Sequence, residues 1–281
     1  MHPYAAEQWT DDEADVLRRY FTNLDRPVFA LVNLPEVVKG ALFARYSRSS
    51  KSLRRLFLDE FVGELDISGD ETIDATVGLD RAEQLYEKVF LEYGDDSVAQ
   101  LGGAHLACEW VSNVLTKVLQ RGRLAAYLEQ STRYIAYDAP MFEEAERGDP
   151  GSWRYWRGEA LGPEFGAAMD EIFSIYSRLL ADVTAWAEER WPRGEEPEGA
   201  WRRSIRAKAL DLLRGLLPAS TLSHVGIYAS GQAYEGLIMR LAASPLPEAR
   251  EFGRLALAEL SKVIPSFLTR VDRPERGGEW I

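Results

Sequence analysis

Residues 117–137 read KVLQRGRLAAYLEQSTRYIAY, and the rest of the chain is organised around this stretch. It gathers Arg121, Arg123 and Arg133 with one carboxylate, Glu129, and the hydroxyl of Ser131. As a helix, it would make Glu129 and Arg133 an i,i+4 ion pair and turn Ser131 elsewhere. As an extended segment, it would project Glu129, Ser131 and Arg133 from one face, because side chains alternate with period two. The extended form offers a small polar ligand an acceptor, a hydroxyl and a fixed cation at once. Guanidinium groups present a rigid fork suited to phosphate or carboxylate, which lysine lacks. Closely spaced arginines are equally compatible with a solvated face or a surface salt-bridge patch, and spacing alone leaves both open.

The order of residues resolves more. The run RGRLAAYLEQSTRY resembles the signature of the flavin-dependent thymidylate synthases, the thymidylate synthase-complementing proteins: an Arg-His-Arg, a seven-residue gap and a serine. Arg121, Arg123 and Ser131 stand at the two arginines and the serine, Arg133-Tyr134 follow in register, and Gly122 replaces the central histidine. Upstream, Tyr93-Gly94, Ser97-Val98, Val111-Ser112 and Leu115-Thr116 match the family's segment without a gap. Downstream, LLRGLLPAS puts Arg214 before Pro218 as in the family's Ala-Arg-x-x-Leu-Pro turn, and SGQAYEGLIMRLA ends on Arg240. The similarity covers residues 28–135 and 205–265.

The resemblance implies an α+β, helix-rich single domain spanning residues 1–281. Its central sheet would carry the signature, residues 140–200 would form an insertion and a helix, and residues 266–281 a tail, whose stretch RVDRPERGGEWI (270–281) reads as mobile. The implied activity is a methyltransferase reaction: reductive methylation of dUMP, or a related one-carbon addition, at the uracil 5 position. FAD, NADPH and methylenetetrahydrofolate are the implied cofactor, reductant and donor, and a homotetramer is the implied assembly. Carried over residue by residue, Ser131, Arg133 and Arg240 are the catalytic candidates. Glu129, Ser131, Arg133, Arg214 and Arg240 would hold the nucleotide, and Arg121, Gly122, Arg123 and Leu124 the flavin. Ser131 lacks a visible base and reads as a hydrogen-bonding group rather than a nucleophile. Besides Gly122, the chain departs from the family at Val118, Ala229, Gly231, Glu235 and Ser244, mostly on the flavin side. A catalytically inactive paralogue that binds a nucleotide or phosphate as a partner subunit is the alternative.

Composition limits other classes. The chain has 281 residues, 46% hydrophobic and 28% charged, a globular composition. A net charge of −12 argues against general nucleic-acid binding, which depends on neutralising many phosphates, but leaves room for one cationic cleft in an acidic surface. No apolar run approaches the roughly 20 residues of a membrane span, and the N-terminal segment shows no export leader. A single cysteine, Cys108, fits a reducing cytoplasm. His2, His105 and His224 have no metal-ligand spacing, so no metal is expected.

Element by element, residues 11–25 read as a helix and VFALVNLP as a strand or buried connection. Residues 36–61 read as helical, with a basic block (Arg45, Arg48, Lys51, Arg54, Arg55) that is either a solvated face balanced by acids or a phosphate cradle. A loop at 64–80, an amphipathic helix ending at Gly94 and a helix N-capped by Ser97 are expected next. Gly102-Gly103 would admit close backbone or ligand approach. Long helices are expected over 168–191, 201–217 and 248–263, with a loop over 140–165.

Overall fold

Both faces of the run VFAL are apolar, and the reason is visible in three dimensions. The computed structural model describes residues 4–34, 36–62, 100, 102–139, 153–158, 161–271, 273 and 277. Strands β1 (Val28–Leu31), β2 (Gly103–Ser112), β3 (Ala125–Glu129) and β4 (Leu222–Ser230) form one antiparallel sheet in the order β1-β2-β4-β3. Around it stand α1 (Asp11–Leu17), α2 (Glu36–Tyr46), α3 (Leu53–Glu60), α4 (Asn113–Leu119), α5 (Gly162–Arg190), α6 (Glu198–Leu213), α7 (Gly231–Ala242) and α8 (Pro247–Leu260). The helix-rich α+β expectation is met.

Val28 and Ala30, with Leu106, Cys108, Val225 and Ile227, face α7 and α8. Phe29, Leu31 and Ala107 face the opposite layer, built from Leu17 of α1, Leu42 of α2 and Phe57 of α3. Helices on both faces remove the need for polar alternation, which is why β1 is buried throughout. Each fully buried Leu or Phe in these layers contributes about 1.5–3 kcal/mol. A third cluster, Tyr137, Trp153, Tyr155, Phe173, Tyr176 and Leu210, fills the α5–α6 hairpin. It joins the sheet through the Tyr155–Thr221 bridge and the Leu222 N–H donating to Arg154 O.

Serines mark the element boundaries. Ser112 ends β2 and caps α4, Ser230 ends β4 and caps α7, and Ser52 caps α3, each accepting from a backbone N–H of the first turn. Thr10 and Glu13 close a capping box on α1. These caps let two strands pass into helices without a loop, so the ends of the sheet sit directly against helix termini.

Several expectations need correction. α1 stops at Leu17 because Phe21 turns back to bridge Leu31. The segment following Ser97, expected to continue as helix, is strand from Gly103 to Ser112. Trp153 and Tyr155, placed in a loop by sequence, are core residues, because rings of that size have more to gain from burial than from water. The tail is anchored at its start: Phe267, Leu268 and Val271 are buried and Arg270 pairs with Glu235 at 2.6 Å. At Gly102 the close approach is made by the Phe267 ring, and at Gly103 by the neighbouring strand. The loop at 64–80, the helix before Gly94 and the matches at Tyr93, Ser97 and Val98 lie outside the described residues.

A β-bulge shapes the sheet near the signature. Cys108 pairs with Val225 and Val111 with Ser223, so Glu109 and Trp110 both oppose His224. Trp110 takes φ 58°, and its N–H donates to His224 Nδ1 at 3.2 Å. The bulge turns Glu109 inward, where it accepts from Tyr4 Oη (2.7 Å), Tyr46 Oη (3.1 Å) and the Leu53 N–H (3.0 Å). Buried Arg54 lies 4.0 Å away, donates to Asn23 and to Arg26 O, and covers the Phe29 ring at 3.6 Å. Burial and the Glu109 charge push the Tyr4 and Tyr46 phenols up. Glu109 thereby pins the start of α3 and the loop before it.

Candidate functional site

The signature stretch is neither wholly helix nor wholly extended. α4 ends at Leu119, the chain turns through residues 120–124, β3 runs to Glu129, and residues 131–135 turn again. Pairing with β4 continues one residue beyond the strand, where the Gln130 N–H donates to His224 O. Gln130 is buried and fastened by its side chain to Ser49 O at 2.7 Å and to the Tyr137 hydroxyl at 3.3 Å. The Ser131 N–H donates to Ser47 O at 3.0 Å, so the loop pinned by Glu109 supports the serine. Ser131 Oγ accepts from the Arg133 N–H at 3.3 Å, a local turn bond.

Glu129 is turned away from Ser131 and Arg133. It accepts from Gln120 Nε2 (2.7 Å) and pairs with Lys117 Nζ (3.2 Å). The expected Glu129–Arg133 pair is absent because the strand ends between them. Arg133 Nε instead lies 3.4 Å from Asp211 Oδ1, and Arg214 Nε lies 3.2 Å from that same oxygen. Both arginine side chains are about half exposed, at 55% and 51%. The structure thus unites Arg133 with Arg214 at the end of α6, beside Ser131, with the Arg48 guanidinium over the Tyr134 ring at 5.3 Å.

The remaining basic block is accounted for structurally. Arg45 pairs with Glu60 (2.7 Å), Lys51 with Asp59 (2.5 Å) and Arg55 with Glu13 (2.7 Å), while Arg54 is interior. Only Arg48 of this block meets the signature loop among the described contacts.

At the other end of β3, Gly122, Arg123, Leu124, Tyr127, Gln232 and Arg240 are among the residues lining a pocket of about 210 Å³. Arg240 Nε is buried there without a hydrogen-bond partner among the described residues. Burial pushes the Tyr127 phenol up, while the nearby Arg240 charge and the Gly122 backbone pull the other way. Arg121 is exposed and outside the lining. Of the departures from the family, Ala229 lines this pocket, Gly231 is covered by Phe267, Glu235 is neutralised by Arg270, and Val118 packs on the core.

Ala125 pairs with Ala229 and Glu129 with Val225, so the Arg240 pocket lies toward the start of β3 and the Arg133–Arg214 pair beyond its end, the strand itself spanning roughly 14 Å at ~3.4 Å per residue. Within one chain, Gly122, Arg123, Leu124 and Arg240 fall into the first group and Ser131, Arg133 and Arg214 into the second, while Arg121 and Glu129 join neither. Asp211 and Tyr127 were not singled out from sequence. The spacing of Asp211 three before Arg214 was the available signal for the first, and strand alternation for the second.

Residues 41–266 match the family model described as "Thymidylate synthase complementing protein". A UPF0159 protein of Chlamydia muridarum is 41% identical over 273 residues, 94% of this chain and 50% of the relative. UPF0159 protein Ta1429 of Thermoplasma acidophilum is 30% identical over 259 residues, 82% of this chain and 48% of the relative. The chain spans about half the length of these curated relatives. A solved structure of ThyX from Helicobacter pylori with FAD and dUMP is 13% identical, with a TM-score of 0.49, covering 86% of this chain and 98% of that one. A second such complex is 14% identical, with a TM-score of 0.46, covering 67% and 81%. Likeness at this level carries no residue correspondence. No helix among the described residues is long and apolar enough to cross a membrane.

Proposed function

The chain belongs to the thymidylate synthase complementing protein family, and on that premise we propose that it binds a uracil nucleotide, dUMP foremost, and methylates it reductively at the 5 position. The observation that carries this reading is the pocket at the start of β3, where Arg240 holds a buried Nε with no partner among the described residues. A buried donor of this kind costs stability unless a ligand satisfies it.

In this reading Arg133 and Arg214 take the phosphate, with Ser131 donating from the adjacent turn. Arg240 and Tyr127 take the polar edge of a ring, and cationic groups there stabilise charge developing on the pyrimidine. Glu129 keeps the turn before β3 in place through Gln120 and Lys117. No nucleophile is assigned: Ser131 Oγ is engaged by its own turn, and burial pushes the Cys108 thiol up to about 12.

The flavin fit is partial. Gly122, Arg123 and Leu124 line the pocket with Arg240 and suit a planar or anionic group. A volume of about 210 Å³ is less than the roughly 300 Å³ at which pockets begin to enclose a drug-sized ligand. A reduced flavin held against these residues would supply the reducing equivalents, with NADPH as reductant and methylenetetrahydrofolate as carbon donor. Because the two arginine groups lie at opposite ends of β3, we read the working form as a homo-oligomer, a tetramer by resemblance, in the cytoplasm.

A second reading is favoured by the side chains at the departures: a nucleotide-binding paralogue without turnover. Ala229 and Gly231 offer no side-chain donor, and Glu235 is occupied by Arg270. Incubation with FAD, NADPH, methylenetetrahydrofolate and dUMP, followed by mass analysis of the nucleotide, separates the two. Methylated product supports the enzyme. A colourless protein that titrates with dUMP but leaves it unchanged supports the binding protein, and absence of dUMP binding removes both.

A further inference from the structure

Asp211 belongs to no motif, yet it sits between two arginines that come from different parts of the chain. It occupies the last turn of α6, where the helix carbonyl end adds negative potential. Arg133 approaches from the turn after β3 and Arg214 from the 3-10 turn that follows α6. Both reach Oδ1 through Nε, at 3.4 and 3.2 Å. That oxygen is shielded from water and has no partner of hydrogen-bond geometry, so charge rather than directed hydrogen bonding holds the two cations. Engagement through Nε leaves the terminal nitrogens of both guanidinium groups without a protein partner among the described residues. Both side chains remain about half exposed.

Two guanidinium groups this close repel, and without a common anion they would spread into solvent. We propose that Asp211 is a positioning residue that holds Arg133 and Arg214 by their Nε edges, so that their terminal nitrogens present a preorganised double fork to a phosphomonoester. The inference rests on the reading of these arginines as nucleotide-binding side chains. Preorganisation of this kind lowers the ordering cost of binding, and planar forks match phosphate oxygens in pairs.

The sign of one substitution decides the matter. Asp211→Asn keeps the shape and removes a negative charge beside the site. If Asp211 acted only through its field, a dianion would bind more tightly to the variant. If it positions the forks, dUMP binds more weakly, by about tenfold, as two guanidinium groups that are no longer held together must be ordered on binding. Asp211→Glu, which keeps the charge and moves it by one methylene, recovers part of the loss. In an Arg214→Lys background, which keeps the cation but has no planar fork to position, Asp211→Asn costs less than in the native chain. A purely structural role would not produce that coupling.

Affinity is read by calorimetry with dUMP, and folding by near-UV circular dichroism and thermal midpoint. Should Asp211→Asn fail to fold, the Asp211→Glu variant and its cycle with Arg214→Lys give the answer. Equal or tighter dUMP binding by folded Asp211→Asn overturns the positioning role while leaving the nucleotide reading intact. A native chain that does not bind dUMP overturns both.

Discussion

The phenolic oxygen of Tyr127 stands 2.8 Å from the point a β-carbon at residue 122 would occupy, and Arg240 Nη2 stands 3.4 Å from it. The glycine at the centre of the signature is therefore the counterpart of a tyrosine and an arginine that fill the space beside it. Restoring a side chain by Gly122→His displaces the Tyr127 hydroxyl and costs about 1–3 kcal/mol through overpacking. Denaturant unfolding should register this loss, and Tyr127→Ala in the same chain should relieve it. A Gly122→His variant as stable as the native chain would show that the Tyr127 ring swings aside freely.

Arg133→Ala is expected to weaken dUMP binding by about 10–100-fold, the loss of hydrogen bonds to a charged group. Its side chain is 55% exposed, so folding stability should change by less than about 0.5 kcal/mol. Calorimetry and a thermal melt on one preparation separate the two effects. Unchanged dUMP affinity would remove Arg133 from the site.

Glu109 is buried beside Arg54, and removing one of the pair leaves the other charge without its opposite. Glu109→Ala should cost about 3–5 kcal/mol. The joint replacement Glu109→Leu with Arg54→Met should cost less, because no lone charge remains in the interior. Urea unfolding of the two variants provides the comparison, and a double variant less stable than Glu109→Ala would contradict the account.

His224 is buried, and burial with the neighbouring Arg154 charge holds its pKa well below 6.5. The folded chain keeps this ring neutral while the unfolded chain protonates it near pH 6.5. The stabilisation is therefore complete above that pH and is lost as pH falls towards the folded value, at up to about 1.4 kcal/mol per pH unit. His105, lowered chiefly by burial, adds to the same trend. Thermal midpoints between pH 7.5 and 5.5 should fall for the native chain and fall less for His224→Gln. Equal slopes would assign the acid sensitivity elsewhere.

How legible the chain was from sequence depended on the range of each interaction. The caps at Thr10, Ser52, Ser112 and Ser230 were not singled out from sequence, although each cap bond spans only three residues. The order of Arg121, Arg123, Ser131, Arg133, Arg214 and Arg240 was enough to indicate the family. The basic block was not readable. Arg45, Lys51 and Arg55 proved to be ordinary surface pairs, whereas Arg54, identical in type and adjacent in sequence, is interior because the bulge at Trp110 turns Glu109 towards it.

The amino-acid sequence by itself determined the family and, through that resemblance, the helix-rich α+β class, because motif order is a linear property. At VFALVNLP it left strand and buried connection open, and pairing of Val28–Leu31 with β2 decided for strand. Only the tertiary structure decided which carboxylate each arginine meets. It paired Arg133 with Asp211 instead of Glu129 and set Arg240 at the far end of β3, because a guanidinium is neutralised by whatever the folded chain brings within a few ångströms, at any distance along the sequence.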